Sequence, residues 1–251
     1  MKVDDAAPAA SNGPVTTYDR DYLQWKAWGG DTFGTLTRAD ARLIEAELAK
    51  TGRVFPPGSQ VLEVGFGNGT VIAYGRERGW DMVGIEVNDA LVAEGKRRGF
   101  KVMQSAQLTP FADGAFDLVL AFDVLEHVPQ DKLVDFLVEV KRVLRSGGIL
   151  VARFPNGDSP FGLVNQNGDI THVTAIGSVR IRQLASRLGA RILYLGGEAQ
   201  PLRTGEFMRT VHRAFTKPIK KAMDFAVSML LYPRVRLAFC SFNLLAVLQF
   251  E

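Results

Sequence analysis

VLEVGFGNG, residues 61–69, ends a β-rich run in three glycines spaced two apart, Gly65, Gly67 and Gly69. Without side chains, such residues let a chain turn sharply off a strand and bring its backbone close to a ligand. Taken alone, the turn is equally a plain strand-to-helix connection. Its GxGxG spacing differs from the GxGxxG of dinucleotide sites, and it holds no Lys-Ser or Lys-Thr for a nucleoside triphosphate. The ligand need not carry a pyrophosphate.

Working outward from that turn, β-rich runs alternate with segments of helical periodicity. Strands are predicted over 60–64, 81–86, 101–104, 116–122 and 149–154, and helices over 71–78, 89–98 and 131–144. Arg145, Ser146, Gly147 and Gly148 are expected to close the last of these helices. The run 116–122, FDLVLAF, is nearly continuous in Leu and Val, as a strand covered on both faces should be. A helix over 178–188 and strands over 190–195 and 243–250 complete the pattern. The fold class is therefore α/β: a doubly wound, mostly parallel, seven-stranded sheet. Before it, 18–51 reads as helical, with Leu36, Leu43, Ile44 and Leu48 on one stripe, and Gly52 and the Pro56, Pro57, Gly58 cluster stop it. The expected organisation is a disordered tail over 1–17, a helical cap over 18–58 and the α/β domain over 59–251, with an insertion over about 201–238.

Composition sets outer bounds. The chain has 251 residues, 47% of them apolar, and a net charge of +3, which by itself predicts neither nucleic-acid nor membrane binding. Cys240 is the single cysteine, so an internal disulfide is excluded and a cytoplasmic setting is the default. The first fourteen residues carry no apolar run of secretory type. No segment reaches about 18 uninterrupted apolar residues, so none is expected to span a bilayer.

Glu86 ends the strand that follows the glycine turn, 21 residues past Gly65. A carboxylate there can accept from both hydroxyls of a ribose. The block 111–128, FADGAFDLVLAFDVLEHV, resembles the fourth-strand region of class I S-adenosylmethionine-dependent methyltransferases. The resemblance runs over about 61–156 and is strongest in VLEVGFGNG, FDLVLAFDVLEHV and LRSGGILVARFPN. It is closest to a broad subgroup with quinone-biosynthetic and glycan-modifying members. It implies a Rossmann-like methyltransferase fold, S-adenosyl-L-methionine as cofactor and S-adenosyl-L-homocysteine as product. By position it implies that Glu63 orders the loop and that Gly65, Phe66 and Gly67 line the methionine and ribose. Glu86 would hold the ribose, Ser105, Ala106 and Gln107 would surround the adenine, and Phe122 and Asp123 would face the methionyl amino group. Ser105 departs from the acidic residue often found there, so Gln107 or a backbone carbonyl would have to accept from the adenine amino group.

Methyl transfer to a hydroxyl requires alignment and removal of a proton, which points to the three histidines. His172, in the polar loop NQNGDITHVTAI after the fifth strand, is the candidate base, with Asp169 three residues earlier to orient it; bracing of the loop is the competing reading. His127 reads as structural and His212 as interfacial. The acids near the strand ends are scattered singly, so no metal site is expected. Of Trp25 and Trp28, beside Gly29 and Gly30, one is expected to pack in the core and one to cover the site.

Between Pro201 and Arg236 lie eight basic residues (Arg203, Arg209, Arg213, Lys217, Lys220, Lys221, Arg234, Arg236) against Glu206 and Asp224, a net +6. Apolar residues recur at helical spacing through Phe207, Val211, Phe215, Ile219, Met223, Ala226 and Leu230. Such a segment can pack over the sheet with a solvated basic face, lie on an anionic membrane surface, or form a homo-oligomer interface. Nucleic acid is not an expected partner, because no reading motif accompanies the charge. The combined expectation is a cytoplasmic enzyme that O-methylates a small-molecule or glycan hydroxyl, with a position peripheral to the inner membrane face if the basic segment lies on a membrane surface. A quinone-pathway methyltransferase and a catalytically silent scaffold are the alternatives.

Overall fold

The computed structural model describes residues 20–201 and 207–251. The tail expected over 1–17 lies outside the described residues, as do Arg203 and Glu206. Strands β1 (Gln60–Val64), β2 (Asp81–Glu86), β3 (Val102–Gln104), β4 (Phe116–Phe122), β5 (Leu144–Pro155), β6 (Ala190–Gly197) and β7 (Asn243–Phe250) form one sheet. Its order is β3-β2-β1-β4-β5-β7-β6. Strand β7 runs antiparallel to both of its neighbours, and the other pairings are parallel.

The helices are α1 (Arg20–Trp25), α2 (Arg38–Leu48), α3 (Thr70–Glu77), α4 (Asp89–Arg97), α5 (Leu133–Val143), α6 (Leu163–Gly168), α7 (Ser178–Leu188) and α8 (Phe207–Leu231). Ile44, Leu48, Ile72, Leu91 and Val92 of α2, α3 and α4 pack on one sheet face against Val61, Leu118, Leu120, Ile149 and Val151. Leu133, Leu137 and Val140 of α5, with Ile181 and Leu184 of α7, cover the opposite face over Leu62, Val119 and Leu150. Both faces are thus buried, which is why the strands read as unbroken apolar runs. Each such side chain contributes roughly 1.5–3 kcal/mol by leaving water. The chain winds from β1 outward to β3 and returns at β4, so the crevice at the carboxyl ends of β1 and β4 is the place where this topology receives a ligand.

Three sequence expectations change. The single helical stretch over 18–51 is broken: Ala27, Gly29 and Gly30 have positive φ, and α2 starts afresh where Thr37 and Asp40 form a reciprocal cap. The residues 145–148 do not close a helix. They bulge within β5, between the pairs Phe116–Leu144 and Leu118–Ile149, held by the Arg145–Asp117 ion pair at 2.6 Å. The loop after β5 contains the short helix α6, which carries no strong periodicity.

The insertion is one long helix, α8, with Pro218 inside it. Among the described residues, Asp224 accepts from the Cys240 N–H at 2.7 Å, Ser228 Oγ accepts from the Leu237 N–H at 3.1 Å, Arg213 donates to the Pro201 carbonyl at 2.8 Å, and Lys220 lies over the Phe242 ring. Its apolar residues are not packed on the sheet; Met208 is 75% exposed, Phe215 72% and Leu230 81%. Among the described residues no helix is long and apolar enough to cross a membrane.

Candidate active site

Two adjoining cavities, of about 790 and 630 Å³, open at the carboxyl ends of the central strands. They share Tyr22, Trp28, Gly65, Asp123 and His127 as common walls. Glu86, Ser105, Ala106 and Gln107 border the first, and Glu63, Phe66, Gly67, Phe122, Asp169 and His172 border the second. All twelve residues singled out from the sequence therefore lie on one or the other.

The glycine turn is shaped by close approach. Gly65 and Gly67 adopt φ of +67° and +49°; a Cβ on Gly65 would sit 2.8 Å from Val124, and one on Gly67 would sit 3.0 Å from the Trp28 ring. Trp28 is thus the tryptophan laid over the loop, while Trp25 is 59% exposed, outside the core, and borders the second cavity. Asn68 ties the segment down, accepting from Gly29 N–H at 2.9 Å and donating to the Thr32 carbonyl at 3.0 Å. Phe66 turns its ring into the core against Phe33, so it supports the loop from below.

Glu86 accepts the Gly67 N–H on Oε2 at 3.1 Å, and those of Val87 and Asn88 on Oε1 at 2.8 and 3.2 Å. Of about four lone-pair sites on a carboxylate, one is left on Oε2. A second ribose hydroxyl would have to share with a backbone N–H, which corrects the expectation of two unencumbered acceptors. Glu63 lies buried beneath the loop, its carboxyl held well above the usual range by burial and by Glu86, with the Ile72 backbone N–H working against that rise. Ser105 Oγ is spent on its own turn, donating to the Gln107 carbonyl at 2.6 Å and accepting the Gln107 N–H at 3.0 Å. Asp123 has φ +57°, rare for a non-glycine residue, and its carboxylate pairs with Arg153 through Nε at 3.2 Å and through Nη2. Two lone-pair sites are left for an ammonium group.

In the second cavity the structure brings together what the sequence kept apart. The Glu126 carbonyl accepts N–H bonds from Val173 at 2.9 Å and Thr174 at 3.0 Å, which lays His172 beside Glu126 and His127. The imidazoles of His127 and His172 meet edge to face at 4.7 Å between centroids. The three side chains each bring a ligand atom within 4.8 Å of the others. That overturns the expectation of scattered groups with no metal-type cluster. Burial, then Asp123, pushes the Glu126 carboxyl well above its ordinary range. Burial, then the neighbouring His172, lowers His127.

Asp169 does not orient His172. Its Oδ2 is 3.7 Å from His172 Nε2, beyond hydrogen-bond reach, and it is engaged by Lys26 at 2.8 Å, by the Tyr22 hydroxyl at 3.2 Å and, through Oδ1, by Thr171 at 2.6 Å. Burial would raise its pKa, but Lys26 and Thr171 outweigh that and hold it below the usual range. It latches α1 onto the loop after β5. His172 is oriented instead by the Gln166 carbonyl, 3.2 Å from Nδ1. Lys26, Asn68, Glu126 and Arg153 escaped the sequence reading, and only the LEH triplet offered a signal for one of them. His212 sits exposed on α8, away from both cavities. The Cys240 thiol is pushed up to about 11 by burial and by Asp224, and is chemically quiet.

The sheet order, the lone antiparallel strand and the glycine turn facing a strand-end acid define a class I methyltransferase fold. Residues 62–152 match the family model described as a methyltransferase domain. It is 32% identical over 133 residues to an uncharacterized methyltransferase of Mycobacterium sp. (strain JLS), 52% of each chain. It is 40% identical over 99 residues to a demethylmenaquinone methyltransferase of Beutenbergia cavernae, 38% of this chain and 40% of that one. The match thus spans about half the length, or less, of these curated relatives. A SAM-dependent methyltransferase from Archaeoglobus fulgidus superposes with TM-score 0.62 at 19% identity, covering 92% of this chain and all of that one. One from Mesorhizobium loti gives TM-score 0.55 at 13% identity, covering 82% and 96%.

Proposed function

We propose that this protein transfers a methyl group from S-adenosylmethionine to a hydroxyl of a small molecule or glycan, releasing S-adenosylhomocysteine. One observation carries the reading: the cavity of Gly65 and Glu86 shares Gly65, Asp123 and His127 with the cavity of Gly67, Glu126 and His172. Donor and acceptor would meet across that wall. Bound S-adenosylmethionine supplies a methyl carbon on a sulfonium, open to in-line displacement. The glycine turn admits the donor, Glu86 Oε2 takes a ribose hydroxyl, and Asp123 takes the ammonium. Trp28, lying over Gly67, excludes water from the junction. The acceptor oxygen gains the methyl, sulfur keeps the electrons of the broken C–S bond, and the hydroxyl proton passes to His172.

Isothermal titration with S-adenosylmethionine tests the donor half, and absence of binding at millimolar cofactor would leave the silent-scaffold reading. Mass spectrometry of metabolites after incubation with methyl-labelled donor identifies the acceptor. Similarity to a demethylmenaquinone methyltransferase keeps a quinone precursor among the acceptors to be tried. The exposed apolar residues of α8, flanked by Arg213, Lys217, Lys220 and Lys221, favour a lipid-linked acceptor reached at an anionic cytoplasmic membrane surface. Flotation with anionic but not neutral vesicles is the expected outcome, and equal flotation, or none, counts against the surface contact.

A further inference from the structure

We propose that Glu126, His127 and His172 form a binding site for one divalent ion of the zinc class. Two histidines and one glutamate are a ligand set on which a zinc ion keeps a fourth position open. Their ligand atoms already lie within 4.8 Å of one another, with Glu126 Oε1 to His172 Nε2 at 3.9 Å. Around a tetrahedral ion with bonds of about 2.0–2.1 Å, such atoms are roughly 3.3–3.5 Å apart. Small side-chain rotations close the difference.

The supporting contacts are those of a ligand shell. His172 Nδ1 faces the Gln166 carbonyl at 3.2 Å, and His127 Nδ1 faces the Thr171 carbonyl at 3.2 Å and its hydroxyl at 2.9 Å. With a proton on each Nδ1, both Nε2 atoms carry a lone pair, the tautomer that metal-binding histidines use. The Thr171 hydroxyl donates its own hydrogen bond to Asp169 at 2.6 Å, completing a histidine, threonine, carboxylate chain behind the ligand. Glu126 is the independent sign. It is 1% exposed, and among the described residues neither carboxylate oxygen has a hydrogen-bond partner beyond its own residue. A buried carboxyl left so is costly and asks for an explanation. Of the cations that act on Glu126, Arg153 is paired with Asp123 and Lys26 is held by Asp169 at 2.8 Å.

The position is on the wall of the second cavity, beside Asp123. An ion there would occupy His172 Nε2, so in the loaded protein it would take over the role of that base by lowering the pKa of the acceptor hydroxyl; this use rests on the methyl-transfer reading, whereas the binding does not.

The test uses tag-free, chelator-stripped full-length protein, titrated with Zn²⁺ by calorimetry and with Co²⁺ by visible absorption. One ion per chain is expected, with Co²⁺ ligand-field bands of a low-symmetry site. His127→Ala, His172→Ala and the volume-preserving Glu126→Gln should each weaken binding by at least about 100-fold. Affinity for S-adenosylmethionine should stay within about threefold in His172→Ala and Glu126→Gln, whose side chains do not line the first cavity, so loss of metal and loss of cofactor are read separately. Should a variant fail to fold, nitrogen chemical shifts of the histidines in the unmutated protein decide: Zn²⁺ must shift Nε2 of both His127 and His172. No stoichiometric ion, unmoved shifts, or binding undiminished in the variants overturns the site.

Discussion

The two cavities are built in opposite ways. The first takes Gly65, Glu86, Ser105 and Asp123 from the ends of four successive parallel strands, so the sheet itself delivers its walls. The second adds Lys26, Glu126, Arg153 and His172, from four distant places, to the β1 turn and the end of β4, and those additions are held by polar bonds between loops. Val173 and Thr174 bind the Glu126 carbonyl, Thr174 Oγ1 binds the Val128 carbonyl at 2.6 Å, and Asp169 holds Lys26. The donor side follows from topology and should tolerate change in the loops. The acceptor side follows from stitching and should not.

Substitutions at either cavity should separate these halves. His172→Ala is expected to have the largest effect, lowering kcat by roughly 10²–10⁴-fold while cofactor affinity by calorimetry stays put. Unchanged turnover would remove His172 from the chemistry. Next is Glu47 of α2, fully buried and joined through Oε1 to the Ala199 N–H at 2.9 Å, a link between the cap and the end of β6. Burial raises its pKa to about 7 against an ordinary 4.5. The raised value means the fold prefers the protonated form, so this contribution is complete below about pH 4.5 and is lost as pH rises through 7. Glu47→Gln should flatten stability over that window and gain on the parent by up to about 3 kcal/mol at pH 8, read by denaturant melts at pH 5 and 8. Parallel melts for both proteins would refute it.

Glu86→Ala should weaken S-adenosylmethionine binding by about 1.5–3 kcal/mol, with kcat at saturating donor nearly unchanged. A fall in kcat without a fall in affinity would mean that the two cavities are not separable. The smallest effect is expected from Asp169→Asn, which keeps the shape but weakens the latch to Lys26, at about 1 kcal/mol. Hydrogen exchange should quicken in residues 20–30 and not in the glycine turn. If the turn loosened equally, the cap and the donor site would be one unit.

Much of the fold was legible because its signals are local. Strands buried on both faces show continuous Leu and Val, and the turn after β1 needs backbone shapes that only glycine adopts without strain. The break between α1 and α2 was missed, since an apolar stripe reports helical period without reporting continuity. The bulge at 145–148 was taken for a helix stop because two glycines suit either. For α8, an amphipathic pattern is the same whether the apolar face is packed or bare, so its exposure could not be read from spacing.

What the sequence determined by itself is the α/β class, the donor-side turn and the strand-end acid, all set by steric and hydrophobic rules acting over a few residues. Only the tertiary structure decided that Trp28 lies on Gly67, that Asp169 serves Lys26 and Tyr22, and that Glu126 and His127 meet His172 across 45 residues of chain. Those meetings are made by backbone N–H and carbonyl groups that every residue carries, and such bonds leave no mark in the order of side chains.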